Sequence, residues 1–228
     1  MTAMLASVNS LAEALLVEAA AVDIIDLKQP ARGALGALDI ATVAEIVRRL
    51  QPDSCVSATI GDLPMQPALI VPAVQAMAAT GIDYVKIGFF PGGDWLACIE
   101  SLQVLAGQGV ALVAVLFADT QPDFAIIDVL AKAGFRGVMM DTADKQLGSL
   151  TRLMSSDELE QFVDRVASAG LLSGLAGSLR TEDVAGLLQL GPDYLGFRGA
   201  LCRQHSRTAQ LDVTQIDKLR EHWRALAC

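Results

Sequence analysis

Val110 to Ala118 reads VALVAVLFA, nine apolar residues in a row. A strand with one wet face alternates apolar and polar residues. A strand buried on both faces does not, and such strands belong to parallel sheets roofed by helices. Nine residues are also too few to span a bilayer as a helix. Shorter runs of the same character recur on either side: LASVNS from Leu5, DIIDLK from Asp23, VSATIG from Val56 and YVKIGF from Tyr84. GVMMDTA from Gly137, LLSGLAGS from Leu171 and YLGFRG from Tyr194 bring the total to eight. Amphipathic stretches separate them, among them Ala41–Leu50, Pro67–Ala79, Asp94–Ala106 and Ser156–Ser168. Helix-start chemistry stands at Ser155-Ser156-Asp157-Glu158 and at Thr181-Glu182-Asp183. Helix stops are expected at Gly81, Gly107, Gly134 and Gly170. Eight strand–helix alternations in 228 residues are the pattern of an α/β fold, a single (β/α)8 TIM barrel, with one catalytic domain over residues 1–228. An open doubly wound sheet is disfavoured, because Asn9-Ser10-Leu11 follows the first run where a glycine-rich loop would stand. Cys202–Asp212 reads as a polar loop before a last helix, Val213–Leu226.

Composition narrows the function classes. The chain is 53% apolar with a net charge of -9, from 17 basic and 26 acidic residues. Nucleic-acid and anionic-membrane partners require a cationic face, so neither is expected. The opening Met-Thr-Ala-Met-Leu lacks the basic stretch of a secretory leader, and a cytoplasmic location is expected. Cys55, Cys98, Cys202 and Cys228 are widely spaced and read as buried or free thiols. His205 and His222 are the only histidines, which leaves no metal-site pattern and makes a serine–histidine triad improbable.

A barrel of this kind works at the C-terminal ends of its strands. Polar residues there include Asp26 and Lys28 in the second run, Ser57, Thr59 and Asp62 in the third, and Lys86 in the fourth. Asp119 follows the fifth, Asp141 and Lys145 the sixth, and Arg198 the eighth. Side chains alternate faces along a strand, so Asp26 and Lys28 share one face while Ile25 and Leu27 take the helix side. Lys86, flanked by Val85 and Ile87, points inward by the same parity. The chain has only five lysines, and three of them stand at strand ends or just beyond. A lysine inside a barrel is costly unless it is paired or functional. A structural ion pair with Asp26 or Asp141 is one reading. A lysine nucleophile is the other: a Schiff base needs a neutral amine, and burial with a second ammonium nearby supplies one.

LAGS, ending at Ser178, and GFRGA, ending at Ala200, place glycines after the seventh and eighth runs. There, barrels bind phosphate through backbone N–H groups. Gly177, Ser178, Arg198, Gly199 and Ala200 are therefore the phosphate candidates, and Thr59 joins the substrate-binding set. Met139-Met140, Trp95 and Trp223 read as packing. Arg203 and Arg207 read first as solvated surface, with Arg203 the one able to reach the mouth or a neighbouring subunit.

DIIDLKQP from Asp23, followed by GALGA from Gly33, resembles the signature of the (5-formylfuran-3-yl)methyl phosphate synthase family. So do SATIGDLP from Ser57, YVKIG from Tyr84, MMDTADK from Met139, LAGS from Leu175 and GFRGALC from Gly196. The resemblance runs in order from about Leu5 to Cys202. It implies a lyase-type synthase of methanofuran-type cofactor biosynthesis in one-carbon metabolism. Such enzymes condense two molecules of glyceraldehyde 3-phosphate, a triose phosphate, with loss of phosphate and water. It further implies Lys28 as the Schiff-base lysine, with Asp26, Lys86, Asp141 and Lys145 as acid/base or electrostatic partners. No cofactor is implied, and a homo-oligomer is expected. A class I aldolase acting on another phosphorylated sugar, or a non-catalytic phosphometabolite-binding protein, shares the same barrel and phosphate grip.

Overall fold

The computed structural model describes residues 2–226. Eight strands pair in chain order, all parallel: β1 (Ala3–Val8), β2 (Ile24–Leu27), β3 (Cys55–Thr59), β4 (Tyr84–Gly88), β5 (Leu112–Phe117), β6 (Gly137–Asp141), β7 (Leu172–Leu175) and β8 (Tyr194–Phe197). β8 closes on β1, with Leu5 opposite Gly196. The expected (β/α)8 barrel is therefore present, and the longest apolar run supplies β5, buried along its whole length.

Helices α1 (Leu11–Ala19), α2 (Ile40–Arg49), α3 (Pro67–Ala78), α4 (Trp95–Gly107) and α5 (Ile126–Lys132) follow the first five strands. After β6 come a short α6 (Leu150–Leu153) and α7 (Ser156–Ser168); α8 (Val184–Gln189) and α9 (Val213–Leu226) complete the ring. The helix-start chemistry is realised at α7. Ser155 Oγ accepts from the Glu158 N–H at 3.3 Å, and the Glu158 carboxylate takes the Ser155 N–H at 2.7 Å. Thr181–Asp183 forms a 3₁₀ turn instead, and α8 begins only at Val184. Gly107 is the last helical residue of α4; the left-handed position after that helix belongs to Gly109, with φ of 93°. The segment expected as a loop, Cys202–Asp212, contains a 3₁₀ turn, Arg203–His205, and a bridge from Cys202 to Leu211, and a further 3₁₀ turn, Gly199–Leu201, precedes it. Among the described residues, no helix is long and apolar enough to cross a membrane.

The alternation of faces divides the apolar residues into two layers. Ile25, Leu27, Val85, Ile87, Ala114 and Leu116 pack outward under the helices. Leu5, Val113, Val115, Phe117, Met139 and Tyr194 fill the inside of the barrel. A recurring aspartate fixes the N-terminal ends. Asp23, just before β2, accepts the N–H of Met4 in β1 at 2.7 Å. Asp83, before β4, accepts that of Val56 in β3 at 2.8 Å, and Asp193, before β8, that of Ser173 in β7 at 2.7 Å. Each carboxylate satisfies a donor that the first residues of a strand would otherwise leave unpaired.

The interior filling leaves no room at Gly174, where a methyl group would overlap the phenol of buried Tyr194. Gly174→Ala should therefore destabilise the barrel by about 1–3 kcal/mol, read as a lowered midpoint of denaturant unfolding with an unchanged slope.

Candidate active site

The third charged residue of DIIDLK lies just past β2, where its backbone N–H still bonds the Val8 carbonyl of β1 at 3.0 Å. Lys28 thus keeps strand parity and points into the mouth. There it lines a cavity of about 330 Å³, together with Asp141, Lys145 and Ser7. The cavity draws on β1, β6, β8 and the segments after β2, β6, β7 and β8, but on no residue of β3, β4 or β5.

That asymmetry has a local cause. The loop after β2 folds across the mouth, and Asp62 pins it by accepting the N–H groups of Ala34 and Leu35 at 2.8 and 2.7 Å. Leu35 and Phe90 then sit above Gly88, where any side chain would collide with both. Phe90 stacks in turn on Phe117 with ring centroids 4.6 Å apart. Thr59 is fully buried and donates to the Gly36 carbonyl at 3.2 Å. It braces this loop and does not reach the cavity, contrary to its expected place in the substrate-binding set.

Beneath the cavity floor lies a charged cluster. Asp26 is 0% exposed and accepts from Ser7 Oγ and Ser57 Oγ, each at 2.8 Å, and from Lys86 Nζ at 3.0 Å. Lys86, 2% exposed, is therefore paired below the floor. Among the described residues, only the Ser7 hydroxyl links this cluster to the cavity lining by a hydrogen bond. Burial alone would raise the Asp26 carboxyl, but the charges of Lys86 and Lys28 and the hydrogen bonds from Lys86 and Ser57 hold it below the ordinary carboxylate range. Asp141 is in the same position. Burial opposes its charge, while Lys145, Lys28 and the Thr142 N–H keep it ionised.

Lys145 Nζ donates to Asp141 Oδ1 at 2.6 Å, to Thr142 Oγ1 at 3.0 Å and to the Thr142 carbonyl. Its three donors are all engaged. Asp119 holds the loop that carries it by accepting the N–H groups of Ala143 and Asp144, each at 2.8 Å. Lys28 differs from both other lysines: among the described residues its ammonium meets no hydrogen-bond acceptor. Burial lowers its pKa first; Asp141 and Asp26 oppose the shift, while Lys145 and Lys86 add to it, for a net value of about 8. At pH 7 about 9% of such an amine is neutral, against less than about 0.1% of an ordinary lysine.

Gly177, Ser178, Gly199 and Ala200 line the same cavity, at the ends of the seventh and eighth strands. Gly177 has φ of 111° and Ser178 of 52°. A side chain at 177 would strike Thr142, so glycine is required there twice over. Arg198 also lines the cavity, but its guanidinium is fully occupied. Nη1 donates to the Ser7 carbonyl at 3.0 Å and to Glu13 Oε2 at 2.5 Å. Nη2 donates to Glu13 Oε1 at 3.2 Å and to the Ala209 carbonyl at 2.8 Å, and Nε to the Arg207 carbonyl at 2.9 Å. Arg207 rather than Arg203 reaches the mouth, beside Arg152, Arg180 and Ser149, none of which the sequence singled out for the site.

The sequence profile of the family described as 4-HFC-P synthase matches residues 4–220. The chain belongs to that family. The (5-formylfuran-3-yl)methyl phosphate synthase of Methanopyrus kandleri is 35% identical over 195 residues, 81% of this chain and 82% of its own. A Methylorubrum extorquens protein that carries the same name provisionally is 41% identical over 222 residues, 97% of this chain and 92% of its own. Among solved structures, a 3-hexulose-6-phosphate synthase superposes with a TM-score of 0.71 at 18% identity, covering 97% of this chain and 99% of its own. The similarity at that identity concerns the fold. Membership of the 4-HFC-P synthase family places this chain among named synthases, and the motifs that carry the charged cluster lie inside the matched span.

Two stability experiments follow from the charge arrangement. Asp26→Asn removes the counter-charge of a buried ammonium and should cost about 3–5 kcal/mol in unfolding free energy. Lys28→Met should act in the opposite direction. Lys28 releases its proton more readily in the folded chain than in the unfolded one, so its charge opposes folding at pH 7. The variant should gain about 1–3 kcal/mol there. Its advantage should shrink as pH rises from about 8 towards 10.5, the window in which wild-type Lys28 loses its proton first in the folded and then in the unfolded state. Thermal unfolding of both proteins across that window is the measurement.

Proposed function

We propose that the protein joins two molecules of glyceraldehyde 3-phosphate into (5-formylfuran-3-yl)methyl phosphate through an imine on Lys28, as a step of methanofuran-type cofactor biosynthesis. The balance of the reaction is two triose phosphates in, one furan aldehyde phosphate out, with one inorganic phosphate and two waters released. The observation that carries this reading is Lys28 itself: a cavity-lining amine with a pKa lowered to about 8 and no acceptor holding it as an ammonium. Family membership supports the overall reaction.

The neutral Lys28 amine attacks the aldehyde carbon of a triose phosphate, and loss of water gives the iminium. The iminium draws electrons from the adjacent carbon, whose proton then leaves to form an enamine. Asp141 lines the cavity and is held ionised, which suits it to take that proton. The enamine carbon supplies the electron pair for the new carbon–carbon bond or for expulsion of phosphate. Lys145, fixed on Asp141, offers positive charge where a carbonyl oxygen becomes an alkoxide. Asp26 acts on the cavity through the Ser7 hydroxyl and through its field on Lys28. Hydrolysis of the last iminium returns the amine and consumes the water lost when the imine formed. Backbone N–H groups at Gly177–Ser178 and Gly199–Ala200 are suited to the phosphate groups, since these residues line the same cavity as the lysine.

Sodium borohydride added during turnover of glyceraldehyde 3-phosphate should fix a reduced adduct on Lys28, located by peptide mass mapping. Lys28→Arg should show neither adduct nor turnover, because a guanidinium does not deprotonate to form an imine. Product analysis should find a furan chromophore and free phosphate in equal amounts. An acyclic aldol product instead would assign the protein to sugar-phosphate aldol chemistry, and normal turnover by Lys28→Arg would remove Lys28 from the nucleophile's role.

A further inference from the structure

The GFRGA turn places one guanidinium at the end of β8, beside backbone N–H groups suited to phosphate. Yet all five donors of Arg198 are taken by protein acceptors, two of them by the buried carboxylate of Glu13. An anion at this end of the cavity would need another cation. Arg207 stands in the same lining, and only its Nη2 is engaged, by the carbonyls of Pro30 and Gly33, the latter at 2.7 Å. Its Nε and Nη1 donors have no acceptor among the described residues.

We infer that Arg207 binds the anionic end of the substrate at the β8 side of the cavity, and that Arg198 with Glu13 acts as a positioning pair that aims it. This deepens the phosphate part of the function proposed above and rests on it. The aiming is explicit in the bonds. Arg198 holds the carbonyls of Arg207 and Ala209, and Glu13 takes the N–H of Leu211 at 3.1 Å. The same carboxylate takes the N–H of Asn9 at 3.0 Å, which ties the segment to the end of β1. The loop after β8 is thereby held from below at three of its residues, while Arg207 reaches across to the loop that follows Lys28. A guanidinium with Nη2 held on two carbonyls and its Nε and Nη1 donors free keeps its charge and separate N–H groups for phosphate oxygens. His205 and Gly199 lie in the same wall.

The test uses inorganic phosphate as the probe, followed by calorimetry on the full chain, so that it reads the site whether or not the furan is the product. Arg207→Met retains the stem and removes the charge. It should weaken phosphate binding about tenfold or more, the loss expected for a charge-assisted hydrogen bond. Arg207→Lys should recover part of that loss. With glyceraldehyde 3-phosphate, Arg207→Met should raise KM by a similar factor and change kcat less. Glu13→Gln should weaken phosphate binding and speed amide hydrogen exchange over residues 203–211, whereas a purely structural pair would shift stability alone. Arg207→Met with phosphate affinity within about twofold of wild type overturns the assignment, as does a wild-type protein that binds no phosphate. If phosphate binding follows the prediction while no furan forms, the anion site stands and the reaction proposed above fails.

Discussion

Two buried carboxylates face three amines inside this barrel, and the numbers do not match. Asp26 pairs with Lys86 and Asp141 with Lys145, each at hydrogen-bond distance. On Asp26, the Ser57 hydroxyl shares Oδ1 with Lys86 and the Ser7 hydroxyl bonds Oδ2. Lys28 is the surplus cation, in a place where charge is poorly solvated. Its proton is therefore held less tightly than that of an ordinary lysine. The pairs below and beside it are what make the surplus: without them the carboxylates would claim Lys28 as an ordinary counter-ion.

Much of this was legible in the chain. Alternation along DIIDLK and YVKIG sends Asp26, Lys28 and Lys86 to one face, and the barrel brings those faces together. Strand parity does not tell which of the inward residues meets the cavity. Lys86 and Asp26 are one layer deeper than Lys28, and Thr59 is turned to the Gly36 carbonyl by a loop whose path over β3 and β4 no local pattern fixes. Arg198 is the sharper case. Its sequence context suggests a phosphate ligand, but its partner Glu13 lies 185 residues away on α1, and a buried pair across that separation has no signature in composition or spacing. Arg207, in a polar segment that resembles solvated surface, carried no signal beyond its charge.

The mouth is also lopsided for reasons of packing. Leu35, Phe90 and Phe117 form an apolar plug over the β4–β5 side, so the open side is the one built by β6, β8 and β1 with the segments after β2 and β7. Lys28 and the glycine turns after β7 and β8 line this one cavity.

The aspartates at the opposite end of the barrel have a bearing on how such a protein can change over time. Asp23, Asp83 and Asp193 each lock one strand to the next, far from the mouth. They secure three of the four consecutive strand pairs, β1–β2, β3–β4 and β7–β8, at that end. Loops on the mouth side are then relieved of setting strand register. Insertions, deletions and exchanges of side chains there alter what is bound without shifting the sheet beneath, and a lineage can explore new substrates while the scaffold is inherited intact.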